Sequence, residues 1–163
     1  MFYRVQGLLL AGALMAGASA HAAQASCDRA CLEGFVDRYL DAVTVNQPAM
    51  VPLAPGVRFT EDGQRLAIGD GLWNTMKGKG RYKLFVTDVA AGQVAFLGTI
   101  QEDHREAGDF NGSLIALRLR VHNMQITEIE QIVFRFPNET GDRHNATYKR
   151  VDAMATHPKY LQA

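Results

Sequence analysis

Residues 113–135 alternate in a way that few folds accept. Ser-Leu-Ile-Ala-Leu-Arg-Leu-Arg-Val is followed by His-Asn-Met-Gln, then by Ile-Thr-Glu-Ile-Glu-Gln-Ile-Val-Phe-Arg. Exchange of apolar and polar residues with period two is the mark of strands whose successive side chains point to opposite faces. With Asn123-Met124 as a two-residue turn, Val121 stands opposite Ile126, Arg120 opposite Thr127, Arg118 opposite Ile129 and Ala116 opposite Gln131. One face then carries Ala116, Arg118, Arg120, Thr127, Ile129, Gln131 and Val133. The other carries Ile115, Leu117, Leu119, Glu128, Glu130, Ile132 and Phe134. Both faces mix apolar with polar residues, so both need cover, one from helices or a cavity and the other from a subunit contact. A slip of one residue exchanges the faces.

The N-terminus stands apart from this pattern. Arg4 precedes a small, apolar run from Gly7 to Gly17, and Ala20-His21-Ala22 gives an A-x-A cleavage site, with Ala18-Ser19-Ala20 as a second option. The run is short for a membrane span. Lipoprotein processing at Cys27 is disfavoured because Gln24 sits where an aliphatic residue is expected. Residues 1–22 are read as a signal peptide and 23–163 as one exported domain, periplasmic in a Gram-negative host or otherwise secreted. The only two cysteines, Cys27 and Cys31, then face an oxidising compartment, where a structural disulfide is the expected state. A redox pair or a metal site are the alternatives. Neither has the C-x-x-C spacing, no nearby His completes a zinc set, and no metal is expected.

Leu32, Phe35, Val36, Tyr39, Leu40 and Val43 form an apolar stripe at i, i+3, i+4 spacing and predict a helix over 28–45, ended by Asn46-Gln47-Pro48. Tyr39 lies on the buried stripe, so its hydroxyl needs a partner. Pro48 to Gly56 reads as a turn-rich connection, Val57 to Glu61 as a short strand and Asp62-Gly63 as a turn. Gly69-Asp70-Gly71 precedes Trp73 without the spacing of a phosphate loop. Asp70 is a candidate cap for a short helix containing Trp73, and Trp73 is read either as a core anchor or as the stacking wall of a pocket. Tyr82–Asp88 and Gln93–Gln101 are the remaining predicted strands, with Asp88 holding the turn between them. His104 lies in a polar loop, either solvated or reaching the site. Residues 146–154 predict a short helix. Lysine and arginine together balance aspartate and glutamate at 17 each, which leaves no basic footprint for nucleic acid and no polybasic arm for a membrane surface.

A long first helix, a short strand, a Trp-bearing helical turn and four consecutive antiparallel strands make an α+β layout. The stretches Phe35–Ala42, Val57–Gly63, Gly69–Trp73 and Arg118–Val121 through Ile126–Glu130 resemble the nuclear transport factor 2-like (SnoaL-like) superfamily, in particular an exported subgroup of largely unassigned function. The resemblance implies a cone: a curved antiparallel sheet wrapped around N-terminal helices. It implies a pocket between the first helix, the Trp turn and the concave face. It also implies acid–base chemistry without metal or cofactor, as in ketosteroid isomerases, scytalone dehydratases, limonene epoxide hydrolases and lyases of lignin-derived dimers.

Residue by residue, Tyr39 matches the tyrosine that donates to an oxyanion in the isomerases, and Glu61 or Asp62 falls near their base. Their second acid has no counterpart, since that region reads Ala116-Leu117-Arg118, and the dehydratases' His pair is not evident. Arg118, if it points inward, is a fixed cation needing a carboxylate partner or an anionic ligand. The leading expectation is a cofactor-independent lyase or isomerase for a small apolar, aromatic compound. Glu61 is its acid/base, Tyr39 and Arg118 its charge stabilisers, and Trp73, Ile129, Gln131, Val133 and His104 its substrate contacts. The rivals are a non-catalytic periplasmic binding or interaction module, in which Arg118 is locked to Glu61, Glu128 or Glu130, and a homodimer joined through its sheet faces.

Overall fold

The computed structural model describes residues 27–103, 111–135 and 142–156. The expected signal peptide and His104 lie outside these residues. Helix α1 spans Arg29–Thr44. Asp28 caps it, its side chain accepting from the Cys31 backbone N–H at 2.8 Å, and the Cys27–Cys31 disulfide crosses the same turn with a Cα–Cα distance of 5.3 Å. At the other end Asn46 is left-handed (φ 49°). The Gln47 N–H returns to the Ala42 carbonyl and the Asn46 N–H to Val43, the paired bonds of a Schellman motif. The predicted stripe is the buried face: Leu32, Phe35, Val36, Tyr39, Leu40 and Val43 are all buried.

Strands β1 (Leu53–Glu61), β2 (Gln64–Arg65), β3 (Met76–Asp88), β4 (Gln93–Glu102), β5 (Asn111–His122) and β6 (Gln125–Phe134) form one sheet of order β2-β1-β6-β5-β4-β3. Neighbours are antiparallel except β1 and β6, which run parallel. β1 starts earlier than its sequence indicates. Pro55 and Gly56, read as part of a connection, are accommodated where the β1–β6 register shifts between Leu53 and Arg58, a position that needs no ladder N–H from proline. A short helix α2 (Leu72–Thr75) joins β2 to β3.

The central hairpin turns at Asn123-Met124, both left-handed (φ 49° and 60°), the geometry a two-residue hairpin requires. Val121 pairs with Ile126 as expected, but the register then shifts, and Arg120 pairs with Glu128, Leu119 with Ile129 and Arg118 with Glu130. Thr127 is the extra residue of a β-bulge. The expected mixed faces are therefore corrected. The concave face carries Ile115, Leu117, Leu119, Val121, Ile126, Ile129, Gln131 and Val133, all buried, while Arg118, Arg120, Glu128, Glu130, Ile132 and Phe134 point outward. One bulged residue resolves the apparent conflict, since it restores a single apolar face across both strands.

Helix α1 lies in the concavity against β3 and β4. Two ion pairs fasten it to β3, Lys83–Asp37 at 3.0 Å and Lys79–Asp41. The last helix, α3 (Asp142–Ala153), packs on the convex side. Its Asp152 accepts from Thr99 Oγ1 (2.6 Å), from the Arg81 backbone N–H (2.5 Å) and from Arg81 Nε (2.9 Å). Arg81 lies where β3 breaks its ladder with β4 between Lys79 and Lys83. The helix thus supplies acceptors that the neighbouring strand does not.

Candidate functional site

Glu61 ends β1 and turns into the cone. The Asp62-Gly63 turn behind it is left-handed at both residues. It is pinned to β6 by Asp62 N–H to the Gln131 carbonyl (2.9 Å) and Val133 N–H to Asp62 Oδ1 (2.9 Å). The Glu61 side chain is 7 % exposed. Its Oε2 accepts two hydrogen bonds, from the Leu72 N–H at 2.8 Å and from Gln131 Nε2 at 2.9 Å. The first serves α2, whose N-cap is Gly71 and not the expected Asp70; no side chain of the cap residue itself bonds the helix. A Cβ on Gly71 would lie 2.4 Å from Oε2, so the carboxylate reaches the helix start only because that position is glycine.

Tyr39 continues the chain of bonds. Its hydroxyl donates to Gln131 Oε1 at 2.9 Å, and Gln131 passes the polarity to Glu61 through Nε2. Burial pushes the Tyr39 phenol far above its ordinary range; the nearby Trp73 indole opposes the shift and the charge of Glu61 adds to it. Tyr39 therefore stays protonated, with its proton engaged on Gln131. Trp73 is fully buried and meets the Tyr39 ring edge-on (centroids 5.4 Å apart, planes at 89°). Among the described residues its indole N–H closes no well-formed hydrogen bond, although it lies close enough to ease charge on the Tyr39 oxygen. Trp73 is thus a core anchor against Tyr39.

Sequence reasoning missed two residues that complete the site, Glu102 and Arg135. Arg135 follows β6 directly. Its Nε donates to both oxygens of Glu102 (3.0 and 3.1 Å) and its Nη2 to Glu102 Oε1 (2.8 Å). The same Nη2 stands 3.5 Å from Glu61 Oε1, and Nη1 3.9 Å from Asp62 Oδ2. Glu102 also accepts from Thr75 Oγ1 (2.7 Å) and Ser113 Oγ (2.5 Å). Burial alone would raise the Glu102 carboxyl, but donation from Arg135, Ser113 and Thr75 outweighs it and holds the group below its usual range. Arg135 is raised by the same pairing against a desolvation that would lower it. A side-chain exposure of 36 % for Arg135 against 0 % for Glu102 puts the guanidinium at the rim and the carboxylate below it.

Of the expected site residues, Glu61, Tyr39, Trp73, Ile129, Gln131 and Val133 meet on the concave side. Arg118 does not. The Thr127 bulge turns it to the convex face, where it pairs with Glu128 and Glu130, each at 2.9 Å, and with Gln93 at 3.0 Å. The cation beside Glu61 is Arg135. A parity count would have found it: Ile129, Gln131, Val133 and Arg135 share one phase, as do Val94, Phe96, Ile100 and Glu102 on β4. Beside this charged network the convex face has an apolar part, with Ile132 and Phe134 58 % and 52 % exposed. It holds two adjoining grooves of about 280 and 270 Å³ that share Leu97, Ala116 and Ile132.

No protein-family model matches the chain, and no curated protein sequence is similar to it. Among solved structures, AclR from Streptomyces galilaeus, provisionally described as a hydroxylase, aligns with a TM-score of 0.51 at 11% identity, covering 65% of this chain and 90% of that one. An NTF2-like protein from Burkholderia thailandensis aligns with a TM-score of 0.44 at 19% identity over 63% of this chain and 89% of its own. A de novo designed protein with a curved β-sheet gives 0.46 at 12% identity over 78% and 98%. At such identities the likeness concerns the fold alone.

Proposed function

We propose that this protein, whose fold is the nuclear transport factor 2-like cone, is a cofactor-independent lyase or isomerase for a small apolar, aromatic compound. Glu61 is the proton carrier in this reading, and Arg135 takes the charge-stabilising place expected of Arg118. The observation that carries it is the asymmetry of the Glu61 carboxylate. Oε2 is occupied by two donors at 2.8 and 2.9 Å, whereas among the described residues Oε1 accepts only the long contact from Arg135 at 3.5 Å. A base held rigidly by one oxygen and only by a long contact at the other is positioned to take a proton from a ligand at the rim, and Arg135 beside it is a donor for the oxygen that gains charge. Tyr39 and Gln131 hold Glu61 in place. An exported, single-domain chain fits the N-terminal pattern and the Cys27–Cys31 disulfide.

The test is turnover. Incubation of the mature protein with pooled aromatic dimers, phenolic acids and ketosteroids, read by mass spectrometry, is expected to convert at least one compound, and Glu61→Gln to abolish the conversion. Conversion that survives Glu61→Gln removes the assignment.

One observation favours a second reading, a non-catalytic binding or interaction module. Phe59, Trp73, Tyr39, Met76 and Ile129 fill the cone with at most 1 % exposure, while the open apolar surface is convex. In that reading Glu61 is a helix cap, and the convex face joins two copies of the chain. Equilibrium sedimentation separates this from a monomer.

A further inference from the structure

We propose that the rim position between Glu61 Oε1 and Arg135 Nη2 takes a neutral hydroxyl group, an alcohol or a phenol, and discriminates against carboxylates and amines of the same shape. The proposal rests on Glu61 and Arg135 being the ligand-facing pair. The two atoms are 3.5 Å apart. That is longer than a strong charge-assisted bond, about 2.7–2.9 Å, and short enough for one oxygen atom to touch both. The remaining valences are taken. Oε2 is saturated by Leu72 and Gln131, and the Arg135 Nε edge is spent on Glu102. Among the described residues, what is left beyond long contacts is one acceptor, Oε1, beside one donor edge, Nη1 and Nη2.

Three ligand chemistries compete for such a pair. A hydroxyl both donates and accepts, so it satisfies Oε1 and Nη2 together. A carboxylate is acceptor-only and would meet Glu61, with Glu102 and Asp62 behind, against a single guanidinium already shared among them. An ammonium is donor-only and would sit against Arg135. Local charge therefore disfavours the carboxylate, and the ammonium sets a donor against the Arg135 donor edge, whereas the hydroxyl satisfies both groups. Arg135 is able to make room, because its side chain is partly exposed at the rim while Glu102 anchors its other edge.

The experiment uses the 15N-labelled mature chain, whose single tryptophan, Trp73, gives one indole N–H resonance beside the Tyr39–Gln131–Glu61 bonds. Benzyl alcohol, benzoate, benzylamine and toluene are titrated separately, following this resonance and the arginine Nε–H signals. The expected order is benzyl alcohol at least tenfold tighter than each of the other three. In Glu61→Gln, whose side chain keeps an acceptor for Leu72, benzyl alcohol weakens at least fivefold and benzoate gains. The proposal is overturned if benzoate, benzylamine or toluene binds as tightly as benzyl alcohol, if benzyl alcohol moves no resonance up to its solubility limit, or if Glu61→Gln leaves the order unchanged. Because binding is read without turnover, a protein that shows this order but converts nothing refutes the catalytic reading alone.

Discussion

Two arginines, Arg118 of β5 and Arg135 just after β6, test the bulged register by their unequal cost. Arg118 sits on the convex face, 28 % exposed, paired with Glu130 at 55 % and Glu128 at 26 %. Solvent screens such a network, so Arg118→Met is expected to cost about 1 kcal/mol or less. Arg135 neutralises Glu102, whose side chain is 0 % exposed and which no other cation among the described residues reaches. Removing one partner of a buried pair costs about 3–5 kcal/mol. Because Arg135 is itself 36 % exposed, the lower end, about 3 kcal/mol, applies to Arg135→Met. At roughly 4 °C per kcal/mol for a chain of this size, thermal unfolding at neutral pH should drop on the order of 10 °C for Arg135→Met and a few degrees for Arg118→Met. Adding Glu102→Gln to Arg135→Met should recover part of the loss, with a coupling of about 1–3 kcal/mol. If Arg118→Met proves the more damaging change, Arg118 points into the cone, the Thr127 bulge is absent, and the site built on Arg135 is wrong.

Acid should weaken the fold through the same cluster. The folded Glu102 carboxyl is held below its ordinary range, so its contribution is complete above about pH 4.3, the unfolded value, and is lost as pH falls below it. A melting series should show this decline, and Glu102→Gln should flatten it while lowering the neutral-pH plateau. Alkali acts through Tyr39, whose raised folded value makes its contribution complete below about pH 10 and lost above it, at up to roughly 1.4 kcal/mol per pH unit. Tyr39→Phe should therefore cost about 1 kcal/mol at pH 7, leaving Gln131 Oε1 without its donor, and should flatten the stability curve above pH 10. Deleting Thr127 should leave a folded protein with Arg118 still opposite Glu130, seen as retained cross-strand NOEs, whereas deleting Glu130 should unfold it by turning Gln131 and Val133 outward.

Much of this was legible in the residues. The α1 stripe, the Asn123-Met124 turn, the Asp62-Gly63 turn and the central parts of the long strands follow from periodicity and turn chemistry, because these are local; β2 and the start of β3 at Met76, six residues before the expected Tyr82, do not. Asp88 holds its turn as read, accepting from the Ala91 N–H at 3.0 Å. The misplacement of Arg118 has one cause. A bulge adds a residue without changing the period of either strand, so the pattern on each side of Thr127 is regular and only their relation is lost. The mixed faces were themselves the signal. No regular register gathers Ile115, Leu117, Leu119, Val121, Ile126, Ile129 and Val133 on one face, and one inserted residue does, with Gln131 the polar side chain among them.

Strand parity marks Glu102 and Arg135 as inward-facing, but their pairing was illegible for a different reason. Each sits at the end of its strand, beside polar residues that read as loop, and a lone charged residue there is most economically taken as solvated. What makes them a pair is that β4 and β6 both flank β5 and end together. Ser113 of β5 bonds Glu102 at 2.5 Å, and Arg135 reaches the same carboxylate from the other side. That convergence depends on the order β6-β5-β4, a property of the assembled sheet. It also decides the chemistry open to Glu61. A cation at Arg118, free of other carboxylates, would have favoured an anionic ligand. A cation at Arg135, already shared with Glu102, leaves Glu61 beside a donor, and on the proposed reading the pair selects neutral ligands that accept from Arg135 while sharing a proton with Glu61.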